Sequence, residues 1–205
     1  MDYRELKAKA NQIRYGQSIN YKKYLGYKAI YDEEIKKIVA YSNENHLNPT
    51  NILEKMNLKV FEMNLDLSVD NSVYGDLLIY DQVSEIDGLV KVVPALYKEM
   101  NEAMRCSQIS IYTIEEIKDE MVVLKDVYSK KTIEIIEPNL NMTTDYLLMR
   151  IITYRDLSFQ SGLVLNLPVS YKSFIRKNKT LFTRTYRGKG LIEFFNAYKT
   201  LQVKK

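Results

Sequence analysis

LSFQSGLVLNLP, residues 157–168, carries the clearest structural signal in the chain. Every second residue points one way, and most of these are apolar: Leu157, Phe159, Ser161, Leu163, Leu165 and Leu167. Polar residues such as Gln160 and Asn166 fall between them. This period of two predicts a half-buried antiparallel strand that Pro168 ends. Gly162, within the alternation, marks a position where a bulge can bend the strand.

The sequence before this strand keeps the same character. YLLMRIITY, residues 146–154, is apolar on both faces, which is typical of a buried central strand. Three more β-rich segments precede it, the last two joined by KDVYSKK, a predicted hairpin: 109–114, 121–124 and 132–136. Strands this close together, with no helix long enough for a crossover, predict a small antiparallel sheet that is curled or closed into a barrel.

Helical periods dominate the remaining sequence. Two apolar stripes are predicted within residues 1–45, one from Leu6, Ala10 and Ile13 and one from Tyr24, Tyr27, Tyr31, Ile35 and Ile38. Further helices are predicted over 49–66, from Pro94 to about Arg105, and near the C-terminus, where Leu191 and Phe194 begin a stripe. The segment SVYGDLLIYD fits a strand or a buried helical turn. The predicted class is α+β: N-terminal helices, a small antiparallel sheet and a C-terminal helix.

Length and composition limit the organisation. The 205 residues, 46% of them hydrophobic, suit a mainly helical region over 1–106 and a barrel-like region with a basic C-terminal helix over 107–205, or one compact unit. No secretory signal pattern and no apolar run of about 20 residues is present, so we expect no membrane association. A single cysteine, Cys106, excludes an internal disulfide and fits the cytoplasm.

No catalytic or metal site is predicted, and no cofactor. One cysteine and one histidine, His46, cannot supply the ligands of a zinc site. Surface or capping roles are favoured for one acidic set, which in a remote alternative would bind Mg²⁺ in a metal-dependent hydrolase: Asp76, Asp81, Glu85 and Asp87. A second acidic set predicts a solvated turn between strands: Glu115, Glu116, Asp119 and Glu120.

The last 35 residues carry a strong positive net charge, with ten Lys or Arg against one acid, Glu193, whereas the rest of the chain is net negative. Within residues 171–190 the candidate anion-binding residues are Lys172, Arg176, Lys177, Lys179, Arg184, Arg187 and Lys189. The candidate base-stacking residues are Tyr171, Phe182 and Tyr186. Cations interleaved with aromatic rings are typical of surfaces that bind single-stranded RNA or DNA. The alternative is a loop whose rings belong to the core and whose charges are simply solvated.

The stretch from Val73 to Pro168 also resembles a group of uncharacterised bacterial proteins associated with the SEC-C zinc motif. The resemblance lies in VYGDLLIYD, ISIYTIEEI, VVLKDVYSKKTIEII and LLMRIITY. It implies helices followed by a small β-barrel, with Asp126 at a hairpin. The zinc motif itself needs three cysteines and a histidine, which this chain does not have, so the resemblance implies a fold and no metal chemistry.

These features favour a non-enzymatic interaction or regulatory module of a bacterial or phage cytoplasm, which binds a partner protein or a second copy of itself. The first 31 residues contain six of the 17 tyrosines and seven basic residues against two acids. Tyrosine-rich helices suit protein interfaces, although such stripes also serve for helix packing. Single-stranded nucleic-acid binding through 171–190 is the alternative function.

Overall fold

The computed structural model describes residues 3–44 and 97–180, together with 194, 197 and 200. Two helices come first, α1 (Tyr3–Tyr15) and α2 (Ile19–Glu44), and α3 (Lys98–Cys106) follows. The strands are β1 (Gln108–Lys118), β2 (Met121–Asp126), β3 (Thr132–Ile136), β4 (Tyr146–Tyr154) and β5 (Leu157–Leu167). A 3₁₀ turn (Val169–Tyr171), the short helix α4 (Lys172–Lys177) and helical residues near the C-terminus complete the order. The α+β class is confirmed.

The described strands form one antiparallel sheet in the order β3-β2-β1-β4-β5. β1 lies at its centre, with Ile114 opposite Leu124 on one side and Ile111 opposite Leu148 on the other. Two-residue turns join β1 to β2 and β4 to β5, and the first residue of each, Asp119 and Arg155, has a positive φ. The predicted strands and their hairpin are therefore confirmed.

The sheet curls without closing. In β5, residues 161–163 lie opposite the single residue Arg150 of β4, so the predicted bulge at Gly162 is confirmed. The edge strands β3 and β5 approach each other but are not paired. Of the two predicted alternatives, the curled sheet is right and the barrel is wrong.

Both faces of the sheet are covered. On one face, Leu148 and Ile152 belong to a cluster that includes the buried residues of α2 and α3. On the other face, Leu147 and Met149 belong to a second cluster built from β1, β2, β3 and β4. β4 is therefore buried on both sides, as its sequence predicts. The first cluster joins residues from both sides of position 106, so the two regions divided there share one core.

α2 covers the sheet with an aromatic stripe. Tyr24 and Tyr31 each meet the ring of Phe159 edge-on with centroids 6.2 Å apart, and Tyr27 meets Tyr154 in the same way at 4.9 Å. Edge-to-face contacts of this kind add to the free energy gained by burying the rings. The predicted α2 stripe is confirmed at these positions and at Ile35, which is fully buried.

Candidate interaction surfaces

The basic C-terminal segment begins with a helix that buries one side. Tyr171, Phe174 and Ile175 are buried, which fixes α4 against the core. Asn178 ends the helix: its backbone N–H donates to the carbonyl of Phe174, and so does its side-chain amide at 2.9 Å. The outward side carries Lys172, Arg176, Lys177 and Lys179, all exposed. Four of the predicted cations are therefore presented together.

The hairpin between β2 and β3 extends this positive region. The Tyr128 hydroxyl donates to the Ile175 carbonyl at 3.1 Å, which ties the hairpin to α4. Burial, then nearby Asp126, raises the pKa of Tyr128, so the hydroxyl keeps the proton that it donates. Lys130 and Lys131, both exposed, lie on the same hairpin. We call the combined region the cationic surface: Lys130, Lys131, Lys172, Arg176, Lys177 and Lys179.

Sequence reasoning missed the two hairpin lysines because they lie 41 or more positions before Lys172. The sequence clue to these lysines is the KDVYSKK turn, which contains both of them. In this turn the Asp126 carboxylate accepts hydrogen bonds from the backbone N–H groups of Tyr128 and Ser129. This Asx turn fixes the hairpin's shape. Only the contact of Tyr128 with α4 shows that the hairpin and the helix belong to one surface.

The predicted stacking residues are placed differently from the cations. Tyr171 is only 7% exposed, and its ring lies 6.4 Å from that of Phe174 within the core. A base could stack on Tyr171 only after this ring was uncovered. The other predicted members lie outside the described residues: Phe182, Arg184, Tyr186, Arg187 and Lys189.

The predicted metal-binding candidates lie in parts of the chain that the structure does not describe. His46 and the set Asp76, Asp81, Glu85 and Asp87 lie outside the described residues, as does the predicted helix 49–66. Within the described ranges no group of three or more His, Cys, Asp or Glu side chains could hold a metal ion. No helix in those ranges is both long and apolar enough to cross a membrane.

The second acidic set is not a single solvated turn. Glu115 and Glu116 belong to β1, and only Asp119 and Glu120 form the turn. Glu120 is buried and accepts a hydrogen bond from the hydroxyl of Ser18, which in turn accepts one from the backbone N–H of Tyr21 at 3.2 Å. Ser18 therefore caps α2 and joins it to the β1–β2 turn. The expectation of a wholly solvated acidic turn was wrong at Glu120.

α1 is held to the body by polar contacts along one face. The side-chain amide of Asn11 donates to Asn139 Oδ1 at 2.8 Å, and the Tyr15 hydroxyl donates to the Asp119 carbonyl at 3.3 Å. Lys7 reaches the Asn139 carbonyl at 3.5 Å. Lys7, Asn11 and Tyr15 are spaced four residues apart and so lie on one side of the helix.

The predicted apolar stripe of α1 lies away from this attached side. Ile13 is 87% exposed, Leu6 52% and Tyr3 72%, and Ala10 is exposed as well. We call this the outer stripe: Tyr3, Leu6, Ala10 and Ile13. The helix itself is confirmed, and its apolar stripe faces outward because the contacts of Lys7, Asn11 and Tyr15 fix another side of α1 to the body.

A cleft of about 620 Å³ lies between α3 and the β4–β5 turn. Arg155 and Glu99 form an ion pair across it at 2.9 Å, and the exposed thiol of Cys106 lies in its wall, 3.7 Å from Glu102. On the other side of the turn, Asp156 accepts hydrogen bonds from Lys23 and Tyr27. The β4–β5 turn thereby holds α2 and α3 together.

Residues 19–204 of the chain match a family of unknown function, DUF7986. This match covers most of the chain, and the chain therefore belongs to that family. No curated protein and no solved structure matches. The resemblance to proteins associated with the SEC-C motif stays a prediction. α1 precedes the matched residues.

Proposed function

We propose that the protein is a non-enzymatic interaction module that binds a partner protein through the outer stripe of α1. The observation that carries the proposal is the exposure of Ile13 and Leu6 on a helix whose opposite side is already attached. Covering one such side chain gains about 1.5–3 kcal/mol, which favours an interface there. Apolar side chains aligned on one exposed helix face are typical of interaction sites.

The polar attachment of α1 supports this role further. The hydrogen bond of Asn11, and the hydroxyl and buried ring of Tyr15, hold the helix in place without using the outer stripe. A helix held in this way presents its stripe without first having to fold on the partner, which lowers the entropic cost of binding. The proposal therefore needs no rearrangement of α1.

The test compares proteins recovered from native extract with the wild-type chain and with three variants. Leu6→Ser and Ile13→Ser remove apolar surface from the outer stripe, and the control Gln12→Ser introduces the same residue at an exposed polar position beside it. We expect a partner that wild type and Gln12→Ser retain and that both stripe variants lose. Recovery of the same proteins by all four chains would overturn the proposal.

Nucleic-acid binding is the second candidate function, and the cationic surface favours it. Six exposed cations on α4, directly after it and on the neighbouring hairpin attract phosphates without any base contact. Buried Tyr171 does not add a stacking platform, so this candidate rests on charge. We expect weak, salt-dependent binding with little preference for base sequence.

Fluorescence anisotropy of a labelled single-stranded RNA tests this second function. Replacing Arg176, Lys177 and Lys179 by Ala removes three cations, which should make the plot of log affinity against log salt shallower by about 2. Lys22 and Lys36, exposed lysines of α2, provide control substitutions to Ala. A slope that responds equally to both sets of substitutions would exclude the cationic surface as the binding site.

The cytoplasm is the compartment that we propose. Its support is chemical: Cys106 is a free, exposed thiol, and reducing compartments maintain such thiols. Mass spectrometry tests this assignment. The protein is isolated after its thiols have been blocked at lysis, so that its mass reports the state of Cys106 in the cell. A Cys106 modified by glutathione or paired in an intermolecular disulfide would contradict it.

A further inference from the structure

A second cleft, of about 320 Å³, lies beside the β2–β3 hairpin. Its wall is formed by the C-terminal end of α3, at Ala103 and Cys106, by the C-terminal end of β4, at Ile151 and Thr153, and by the hairpin itself. We call it the hairpin cleft. Its volume is at the lower end of the roughly 300–1,000 Å³ that small-molecule sites occupy in proteins, so it suits a small ligand.

Three polar side chains of the hairpin cleft form a row across neighbouring strands. Tyr112 of β1 lies directly opposite Asp126 of β2, and the backbone N–H of Asp126 donates to the Lys131 carbonyl at 2.9 Å across the hairpin. Residues that lie directly opposite each other in antiparallel strands place their side chains on the same face of the sheet. All three residues line the cleft. The row therefore brings a phenol, a carboxylate and an ammonium group to one site.

The hydroxyl of Tyr112 supplies a hydrogen-bond donor. Tyr112 is only 6% exposed, and its hydroxyl makes no hydrogen bond within the described part of the chain. Burial, then the charge of Asp126, raises the pKa of Tyr112, so the hydroxyl keeps its proton at neutral pH. Buried phenol groups usually have a hydrogen-bond partner. An oxygen of a ligand in the cleft would accept from this hydroxyl.

Asp126 supplies the matching acceptor. Its Oδ1 atom accepts hydrogen bonds from the backbone N–H groups of Tyr128 at 2.8 Å and Ser129 at 2.6 Å, and these bonds fix the carboxylate. Its Oδ2 atom accepts no hydrogen bond from any group in the described ranges. A hydroxyl group both donates and accepts. Two adjacent hydroxyl groups therefore fit this pair, because one donates to Asp126 while the other accepts from Tyr112.

The other residues of the hairpin cleft define the rest of the ligand. Among the described residues that line it, the charged ones are Asp126 and Lys131, one of each sign, so the cleft favours neither an anion nor a cation. Ala103, Ile133 and Ile151 provide apolar wall for the carbon atoms of a ring. We propose that the hairpin cleft binds a small neutral molecule that carries two adjacent hydroxyl groups on a ring, as ribonucleosides and sugars do. This inference does not depend on the outer stripe of α1.

Adenosine and methyl glucopyranoside are the probes, because they carry adjacent hydroxyl groups on a ribose and on a sugar ring. Each is compared with an analogue that lacks these groups, dideoxyadenosine and cyclohexylmethanol. Titration of the full chain followed by protein NMR gives the affinity and shows which amides respond. We expect at least one probe to bind, with shifts at the amides around Tyr112 and Asp126. Its analogue should bind at least about tenfold more weakly, because Asp126 would lose its donor.

Two substitutions test the donor and the acceptor. Tyr112→Phe removes only the hydroxyl and should weaken the probe about three- to tenfold. Asp126→Asn keeps an oxygen for the hairpin N–H groups but replaces the second oxygen by a donor, and should weaken the probe at least about tenfold. Tyr146→Phe is the control, since Tyr146 is a buried tyrosine of β4 that does not line the cleft, and it should bind as wild type does.

A bulky side chain at the edge of the cleft tests the site without changing the polar row. Thr132 is exposed and lines the cleft, so Thr132→Trp should fill it and abolish binding. Glu134→Trp, at an exposed position of the same strand outside the cleft, should leave binding unchanged. Circular dichroism of each variant checks that the protein remains folded.

The two probes also identify the source of the hydroxyl groups. Binding of adenosine alone would assign them to a ribose, and binding of the glucopyranoside alone would assign them to a sugar ring. Binding of neither probe, equal binding of the analogues, or binding that survives Thr132→Trp would overturn the inference. Displacement of the bound probe by inorganic phosphate would show that the cleft takes an anion and would also overturn it.

Discussion

α1 and α2 are adjacent helices with similar sequence signals and opposite arrangements. Both carry an apolar or aromatic stripe at helical spacing, and both lie beside basic residues. The stripe of α2 packs on Phe159 and Tyr154 of the sheet, whereas that of α1 faces outward. Periodicity in the sequence therefore identifies a helix and its apolar side, but it does not identify what that side contacts.

The position of the polar contacts relative to each stripe accounts for this difference. In α1, Asn11 and Tyr15 make specific hydrogen bonds to the loop after β3 and to the β1–β2 turn. In α2, one polar contact is a clasp in which Lys23 and Tyr27 bind Asp156, next to the aromatic stripe rather than opposite it. In α2 the polar and apolar contacts therefore act on the same side.

The largest expected effect is at Tyr31 of α2. Its side chain is fully buried against Phe159, so Tyr31→Ala should reduce the free energy of unfolding by about 3–5 kcal/mol. Ile13→Ser on α1 should change it by less than about 0.5 kcal/mol, because that side chain is already in water. Urea unfolding followed by circular dichroism measures both values.

A large cost for Ile13→Ser would mean that the outer stripe is covered in the folded chain. The comparison between the helices would then fail, and the outer stripe would no longer be available to a partner. A small cost for Tyr31→Ala would instead place α2 loosely on the sheet. The two variants thus test the two helices independently.

Sequence patterns predicted the strands and the α2 stripe because each depends on local spacing: period two in residues 157–167 and period 3.6 in residues 24–35. They could not decide between an open sheet and a barrel, because closure depends on whether β3 and β5 pair, and these strands are more than 20 residues apart. The joining of Lys130 and Lys131 with α4 depends in the same way on a long-range contact of Tyr128. Burial of Glu120 was missed because its partner, Ser18, lies 102 residues away.

An intermediate loss of unfolding free energy is expected at Ser18, which lies between α1 and α2 and directly precedes α2. Ser18→Ala removes the helix cap and the hydroxyl that donates to buried Glu120, and should cost about 1–3 kcal/mol in unfolding free energy. Urea unfolding again provides the measurement. Ser18→Asp separates the two contributions, because it restores the cap but places a second carboxylate beside Glu120. If Ser18→Asp is as stable as wild type, the contact with Glu120 contributes little.

A smaller effect is expected at the attachment of α1. Asn11→Ala removes one hydrogen bond, that to Asn139, and should reduce the free energy of local opening of α1 by about 0.5–1.5 kcal/mol. Hydrogen exchange of the α1 amides should accelerate, while that of the β4 amides stays unchanged. Gln12→Ala, at an exposed neighbouring position, is the control. Equal acceleration in β4 would show that α1 unfolds only with the whole protein.

The smallest effect concerns the clasp that holds α2, and it depends on pH. Hydrogen bonds from Lys23 and then Tyr27 hold the pKa of Asp156 below its ordinary value. A lowered pKa in the folded state means that the ionised carboxylate stabilises the fold above the ordinary aspartate pKa of about 3.9, and that this stabilisation is lost as the pH falls through the lowered value.

Asp156→Asn should therefore lower the melting temperature slightly at neutral pH, and the difference from wild type should shrink as the pH falls below the ordinary aspartate range. The effect is small because the pair is exposed and screened by solvent. Asp145→Asn is the matched control, since Asp145 lies in the loop before β4 rather than in the clasp. A difference that is constant over the whole pH range would mean that Asp156 acts through its shape rather than through its charge.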